Sequence, residues 1–237
     1  MLLLYHTFVT INLVKHFITR FKYNKIYCFI VPNLKVCYYL SMKPLLITTT
    51  EQTTTPILEN RNVIDYYKRW QHDEIVADLD KKRNPFINVC LNLTGDFSKS
   101  SIIRNANAWL AKETWIIGKK RFDVRGTVGT HHYETIKHSV TWEDIFENFK
   151  LEGYTIYAVD NIPEHNPKVI YNVSYPEKSV FVYGEEGVGL PEEVIKGCDA
   201  MIYIPQYGSV RSINVAVAAG VVMNEWTRQH NPEIELD

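Results

Sequence analysis

The sequence contains no Gly-Lys-Ser or Gly-Lys-Thr, so it lacks a Walker-type loop for nucleoside triphosphates. It has no Gly-x-Ser-x-Gly elbow either, which leaves Ser212, in Val-Arg-Ser-Ile-Asn, without the setting of a hydrolase nucleophile. His-Glu-x-x-His is also absent, His131 and His138 are not at i, i+4, and the adjacent His131 and His132 point in different directions, so no metal site is expected. The four cysteines, Cys28, Cys37, Cys90 and Cys198, are too few and too scattered for a disulfide scaffold or a zinc cluster. They read as buried or free thiols in a reducing compartment.

Acidic residues are missing from the first 50 positions, where six basic residues precede Glu51. All 27 acidic residues and the remaining 20 basic ones follow, so the body carries a formal charge of about −7. Such a body is no general nucleic-acid coat; any RNA contact needs a local basic patch. Lys15, His16, Arg20 and Lys22 interrupt every N-terminal window near the twenty apolar residues of a membrane span. A secretory signal places its basic head before the apolar run, and here the apolar run comes first. An acid-free, basic leader also describes an organelle-targeting peptide, but arginine and serine are scarce in it. The expectation is a cytoplasmic protein in which residues 1–41 are an appendage outside the fold and 42–85 a short extension. The main domain is then 86–230, with a tail at 231–237.

Residues 62–80 match one helix face in part, with Asn60 or Asn62 as a candidate cap. From residue 85 apolar runs and helical patterns alternate. PFINVCLNL reads as a buried strand, SKSSIIRNANAWLAK as a helix capped by Ser98, and TWIIG as a short strand. A polar loop at 119–139 precedes the helix at 141–153 and the strand at 154–160. The order then repeats: strand 179–184, a glycine loop and short helix 190–198, strand 200–204, a loop, and a helix at 211–229. This alternation predicts an α/β fold, a mostly parallel sheet with helices on both faces. Ligands bind at the carboxyl ends of such strands.

The glycine loop, YGEEGVGLPEEV, follows a strand and precedes a helix, as phosphate loops do. Yet Glu185 and Glu186 would repel a phosphate, and the loop has no lysine. Its glycine order, G-x-x-G-x-G, reverses the dinucleotide fingerprint. A cationic or zwitterionic ligand rich in hydrogen-bond donors suits it better, and S-adenosylmethionine is one: it has an ammonium, a sulfonium and ribose hydroxyls, and no phosphate.

Three ordered segments carry a family resemblance: SKSSIIRNANAW (98–109), VYGEEGVGLPEEVIKGCD (182–199) and IPQYGSVRSINVAVAAGVVMNEW (204–226). Together they resemble the SpoU (TrmH-like) RNA ribose 2′-O-methyltransferases of the SPOUT superfamily. That resemblance implies a C-terminal trefoil knot, which no periodicity could show, since general topology runs against knots. It also implies S-adenosylmethionine held by Gly184, Glu186, Gly187, Ile204 and Ile213. Arg104 matches the family's catalytic arginine, with Ser212 and Asn214 positioning it, the ribose or the cofactor. The family's first-motif asparagine falls on Ser98, which keeps open an RNA-binding relative without turnover.

Lys119, Lys120, Arg121 and Arg125 form the best basic patch and are the candidate RNA phosphate contacts, with Phe122, Tyr133 and the histidines available to stack on bases. The helix carrying Val215, Ala218, Ala219, Val222 and Trp226 is the candidate dimer surface, because the resemblance implies a homodimer. The expected activity is methyl transfer to a ribose 2′-hydroxyl of structured RNA, tRNA or rRNA, with no membrane and no metal involved.

Overall fold

The structure is a computed structural model. It describes the strands 26–31 and 34–39, and residues 61–231 apart from Asn92 and Glu186. The chain divides into two compact units, Met1–Ile57 and Leu58–Asp237. In the first, β1 (Ile26–Val31) and β2 (Leu34–Tyr39) form an antiparallel pair.

The second unit holds seven strands: β3 (Asn84–Leu91), β4 (Ala111–Ile117), β5 (Ile136–Ser139), β6 (Thr155–Val159), β7 (Lys168–Val169), β8 (Ser179–Tyr183) and β9 (Ala200–Tyr203). They form one sheet in the order β5-β4-β3-β8-β6-β9-β7, and every pairing is parallel. Parallel neighbours need crossovers, and helices supply most of them. Helix α1 (His72–Lys82) precedes the sheet, the crossover helices are α2 (Asp96–Ala108), α3 (Val124–Thr127), α4 (Glu143–Leu151) and α5 (Glu192–Gly197), and α6 (Val215–His230) follows its last strand. None of the described helices is long and apolar enough to cross a membrane.

The central strands are apolar throughout because both faces are covered. Phe86, Cys90, Phe181 and Tyr183 face a cluster shared with α2 and α6, including Met223 and Trp226. Ile87, Val89, Leu91, Val180 and Val182 point the other way, onto Ile145, Phe146 and Phe149 of α4 and Val194 and Ile195 of α5. This is the two-residue alternation of a strand dividing two cores. Burial pushes the Cys90 and Cys198 thiols up to about 12, so neither forms a thiolate readily.

Several local expectations need correction. Helix α1 begins at His72 after Gln71, whose backbone N–H donates to Glu74 Oε2 at 2.7 Å, so Asn62 does not cap it, and Asn60 lies outside the described residues. Gly95 precedes α2, so Ser98 lies inside its first turn and does not cap it. The stretch 119–139 contains α3, a 3-10 turn and the edge strand β5; the polar β5 pattern obscured it. Ala219, Val222 and Trp226 of α6 are buried in its own chain's core. Gly220 lets α2 approach closely: a Cβ there would lie 3.1 Å from Asn105 Nδ2, whose amide donates to Ala216 O at 2.9 Å.

Residues ahead of the sheet are tied to it. Ile75 and Leu79 of α1 pack with Tyr67 and Tyr133. Tyr133 is therefore buried and is removed from the candidates for base stacking.

Candidate functional site

A cavity of about 290 Å³ opens at the carboxyl ends of β6, β8 and β9, near the lower end of the 300–1,000 Å³ usual for small-molecule sites. Two sequence motifs meet there. Gly184, Gly187, Ile204, Ser212 and Ile213 all line it, so residues up to 29 positions apart along the chain converge on one space. Glu186 lies outside the described residues.

The glycine loop turns back on itself. Glu185 and Gly189 form a bridge, with Gly189 N–H donating to Glu185 O at 2.8 Å, and Gly189 holds a φ of +75°. A Cβ on Gly184 would fall 2.5 Å from the Gly189 carbonyl carbon and 2.7 Å from Leu190 N, both backbone atoms. Only glycine fits there without displacing the loop. Gly184→Ala should therefore cost about 1–3 kcal/mol, seen as a lower melting temperature. Gly187→Ala, whose Cβ enters open space, serves as the control and should melt as the wild type does.

Asp160 and Asn161, which the sequence reading missed, staple the two loops together. Asp160 Oδ2 accepts from Leu190 N at 3.3 Å and its Oδ1 from Asn161 N at 2.8 Å. Asn161 Nδ2 in turn donates to Arg211 O at 2.8 Å. Their one sequence signal is position: a polar pair directly after the apolar strand β6.

The wall chemistry suits a zwitterion with an aromatic base. Asp160 and Glu185 are acidic, Arg211 is basic, and Ile204, Ile213 and Val215 are apolar. Gln206 also lines the cavity, and its Oε1 is closed off from solvent without a hydrogen-bond partner among the described residues. An orphan of this kind costs about 1–3 kcal/mol until a donor reaches it.

Asn214 does not line the cavity. Its Oδ1 caps α6, accepting from Ala216 N at 2.9 Å and Val217 N at 3.3 Å, while its Nδ2 donates to Ser98 Oγ at 3.4 Å. The serine at the family's asparagine position thus still reaches the third motif. Arg104 is exposed on α2, forms no ion pair among the described residues, and is absent from the cavity wall. Within one chain the structure does not bring it to the cavity.

The basic residues after β4 also lie away from the cavity, and most are partnered. Lys119 and Arg121 sit 3.5 and 3.6 Å from Asp96, and Arg125 grips Asp123 at 2.6 Å. Lys120 is exposed and forms no ion pair among the described residues. Beneath them the buried Lys99 donates to Lys119 O at 3.1 Å.

The Arg125 hydrogen bonds, from side chain and backbone, hold the Asp123 carboxyl down at about 2. A folded value below the unfolded 3.8 means that the stabilisation is complete above that value and is lost as pH falls toward 2. An NMR titration should show Asp123 ionising near pH 2, and Arg125→Gln should return it toward 3.8.

The profile of the SpoU rRNA Methylase family matches residues 90–224. The mouse tRNA (guanosine(18)-2′-O)-methyltransferase TARBP1 is 38% identical over 80 residues, covering 34% of this chain and only 5% of the mouse protein. The tRNA (guanosine(18)-2′-O)-methyltransferase of Thermus thermophilus is 27% identical over 159 residues, covering 65% of this chain and 80% of that one. The crystal structure of the A. aeolicus TrmH/SpoU tRNA modifying enzyme is similar with a TM-score of 0.62 and 27% identity, over 68% of this chain and 85% of that chain.

Proposed function

Because the chain belongs to the SpoU rRNA methylase family, we propose that it transfers a methyl group from S-adenosylmethionine to a ribose 2′-hydroxyl of structured RNA, tRNA or rRNA. The observation that carries this reading is the cavity itself, where the second and third motifs converge between acidic, basic and apolar walls with an unmet hydrogen-bond acceptor. The names of the relatives, tRNA 2′-O-methyltransferases, support the substrate class.

The residues present fit S-adenosylmethionine, which when bound supplies an activated methyl group. Ile204 and Ile213 offer apolar walls for the base. Asp160 and Glu185 carry the charge that suits an ammonium or sulfonium, and Arg211 the charge that suits a carboxylate. Gly184 and Gly187 let backbone groups approach the ligand. Transfer would form the bond from the 2′-oxygen to the methyl carbon as that carbon leaves sulfur, with the hydroxyl proton passing to solvent water. A guanidinium does not accept that proton. Arg104 instead grips a neighbouring phosphate and stabilises the developing alkoxide, and Ser212 orients the reacting ends.

The finer parts of the reading concern assembly. Arg104 does not line its own chain's cavity, so a homodimer in which α2 of one protomer serves the cavity of its partner accounts for both features. The loop bearing Lys119, Lys120, Arg121 and Arg125 then meets RNA phosphates, exchanging weak surface ion pairs for them. The methyltransferase domain is 86–230, threaded through a C-terminal knot, with the preceding segment from Leu58 packed in the same compact unit, and the protein works with its RNA in the cytoplasm.

The test is incubation with tritiated S-adenosylmethionine and total tRNA or rRNA. Label should appear in alkali-resistant dinucleotides, the mark of a blocked 2′-hydroxyl. Label confined to bases, or none despite cofactor binding, would overturn the ribose assignment.

A further inference from the structure

Gln206 follows Pro205 in the loop after β9 and faces the cavity with part of its side chain exposed. Four buried side-chain polar atoms among the described residues have no hydrogen-bond partner, and only Gln206 Oε1 belongs to a cavity residue. The amide lies at the end of a broad, soft torsion, so a rotation brings Oε1 round to a donor entering the cavity.

The choice of donor follows from charge. A methionine ammonium is matched by a carboxylate, and Asp160 and Glu185 stand in the same wall. A neutral amide instead matches a neutral purine edge, where Oε1 accepts from an exocyclic amine while Nε2 donates to a ring nitrogen. This deepens the cofactor reading given above and rests on it: we infer that Gln206 recognises the 6-amino edge of the adenine and makes the cavity selective for adenosyl over 6-oxo purine ligands.

The experiment is calorimetric binding of S-adenosylhomocysteine and S-inosylhomocysteine to the full chain, with no turnover required. The wild type should favour the adenosyl ligand. Gln206→Met, close in volume but without the amide, should lose about tenfold in adenosyl affinity and little in inosyl affinity. Gln206→Glu keeps an acceptor and should keep the adenosyl preference, and melting curves on both variants report folding. An unchanged adenosyl-to-inosyl ratio in Gln206→Met, or an equal loss for both ligands, overturns the assignment. So does a wild type that binds both equally, which leaves the cofactor reading standing; a wild type that binds neither overturns the cofactor reading as well.

Discussion

Glu134→Ala is expected to destabilise the domain by about 3 kcal/mol, the lower end of the cost of breaking a buried ion pair, because Arg83 keeps its Asp80 partner at 2.7 Å. The Glu134 carboxylate is wholly buried, and only 7% of the Arg83 side chain is exposed. Arg83 Nη1 lies 3.2 Å from both Glu134 oxygens and donates to Ala111 O at 3.1 Å, while its Nη2 donates to Tyr133 O at 2.5 Å. Asn107 Nδ2 adds a bond of 2.9 Å to Glu134 Oε1. Burial pushes the Glu134 carboxyl up, and Arg83 and Asn107 hold it down.

The Arg83–Glu134 pair therefore joins the end of α1, the start of β4, the end of α2 and the segment ahead of β5. Its loss should lower the melting temperature by on the order of 10 °C in thermal unfolding followed by circular dichroism. Arg83→Met combined with Glu134→Leu should be less damaging than Glu134→Ala, because it removes both charges and fills the space. If the single variant melts within a degree or two of the wild type, the pair is not a structural tie.

Arg104→Ala is expected to lower the turnover number by about 10²–10³, the range seen when one group that stabilises developing charge is removed. Cofactor affinity should stay the same, because Arg104 lies outside the cavity wall. Arg104→Lys should recover only part of the rate, since an ammonium keeps the charge but loses the fork that grips a phosphate. Single-turnover methyl transfer read beside calorimetric cofactor binding separates the two effects. A matching loss of cofactor affinity would place Arg104 against the cofactor in a partner's cavity and contradict its assignment to the RNA phosphate. Mixing the Arg104→Ala chain with a cavity-defective chain should restore activity if each site is built from two protomers, and should not if it is built from one.

Much of the sheet was legible in the sequence because buried parallel strands are apolar runs that need no partner to be recognised. PFINVCLNL, TWIIG and SVFVYG all became strands. The two-residue β7 and the polar β5 escaped notice, because an edge strand is held by backbone bonds that its side chains do not advertise. The cavity wall was legible where a motif carried it, as at Gly184, Ile204, Ser212 and Ile213. Asp160, Asn161 and Gln206 were not, since aspartate, asparagine and glutamine are ordinary in loops and only their neighbours in space make them functional.

The sequence by itself determined the alternation of strands and helices, the exclusion of a phosphate loop by two glutamates, and the family to which the three motifs point. Those features are local, set by side-chain period, backbone freedom and charge within a few residues. Tertiary structure alone decided that Asp160 and Asn161 staple the two motif loops, that Tyr133 is core and not surface, and that Asn214 caps a helix. It also decided that Arg104 stands apart from the cavity of its own chain. These depend on which distant segments a parallel sheet sets side by side, and the order in which strands lie across a sheet is not the order in which they are written.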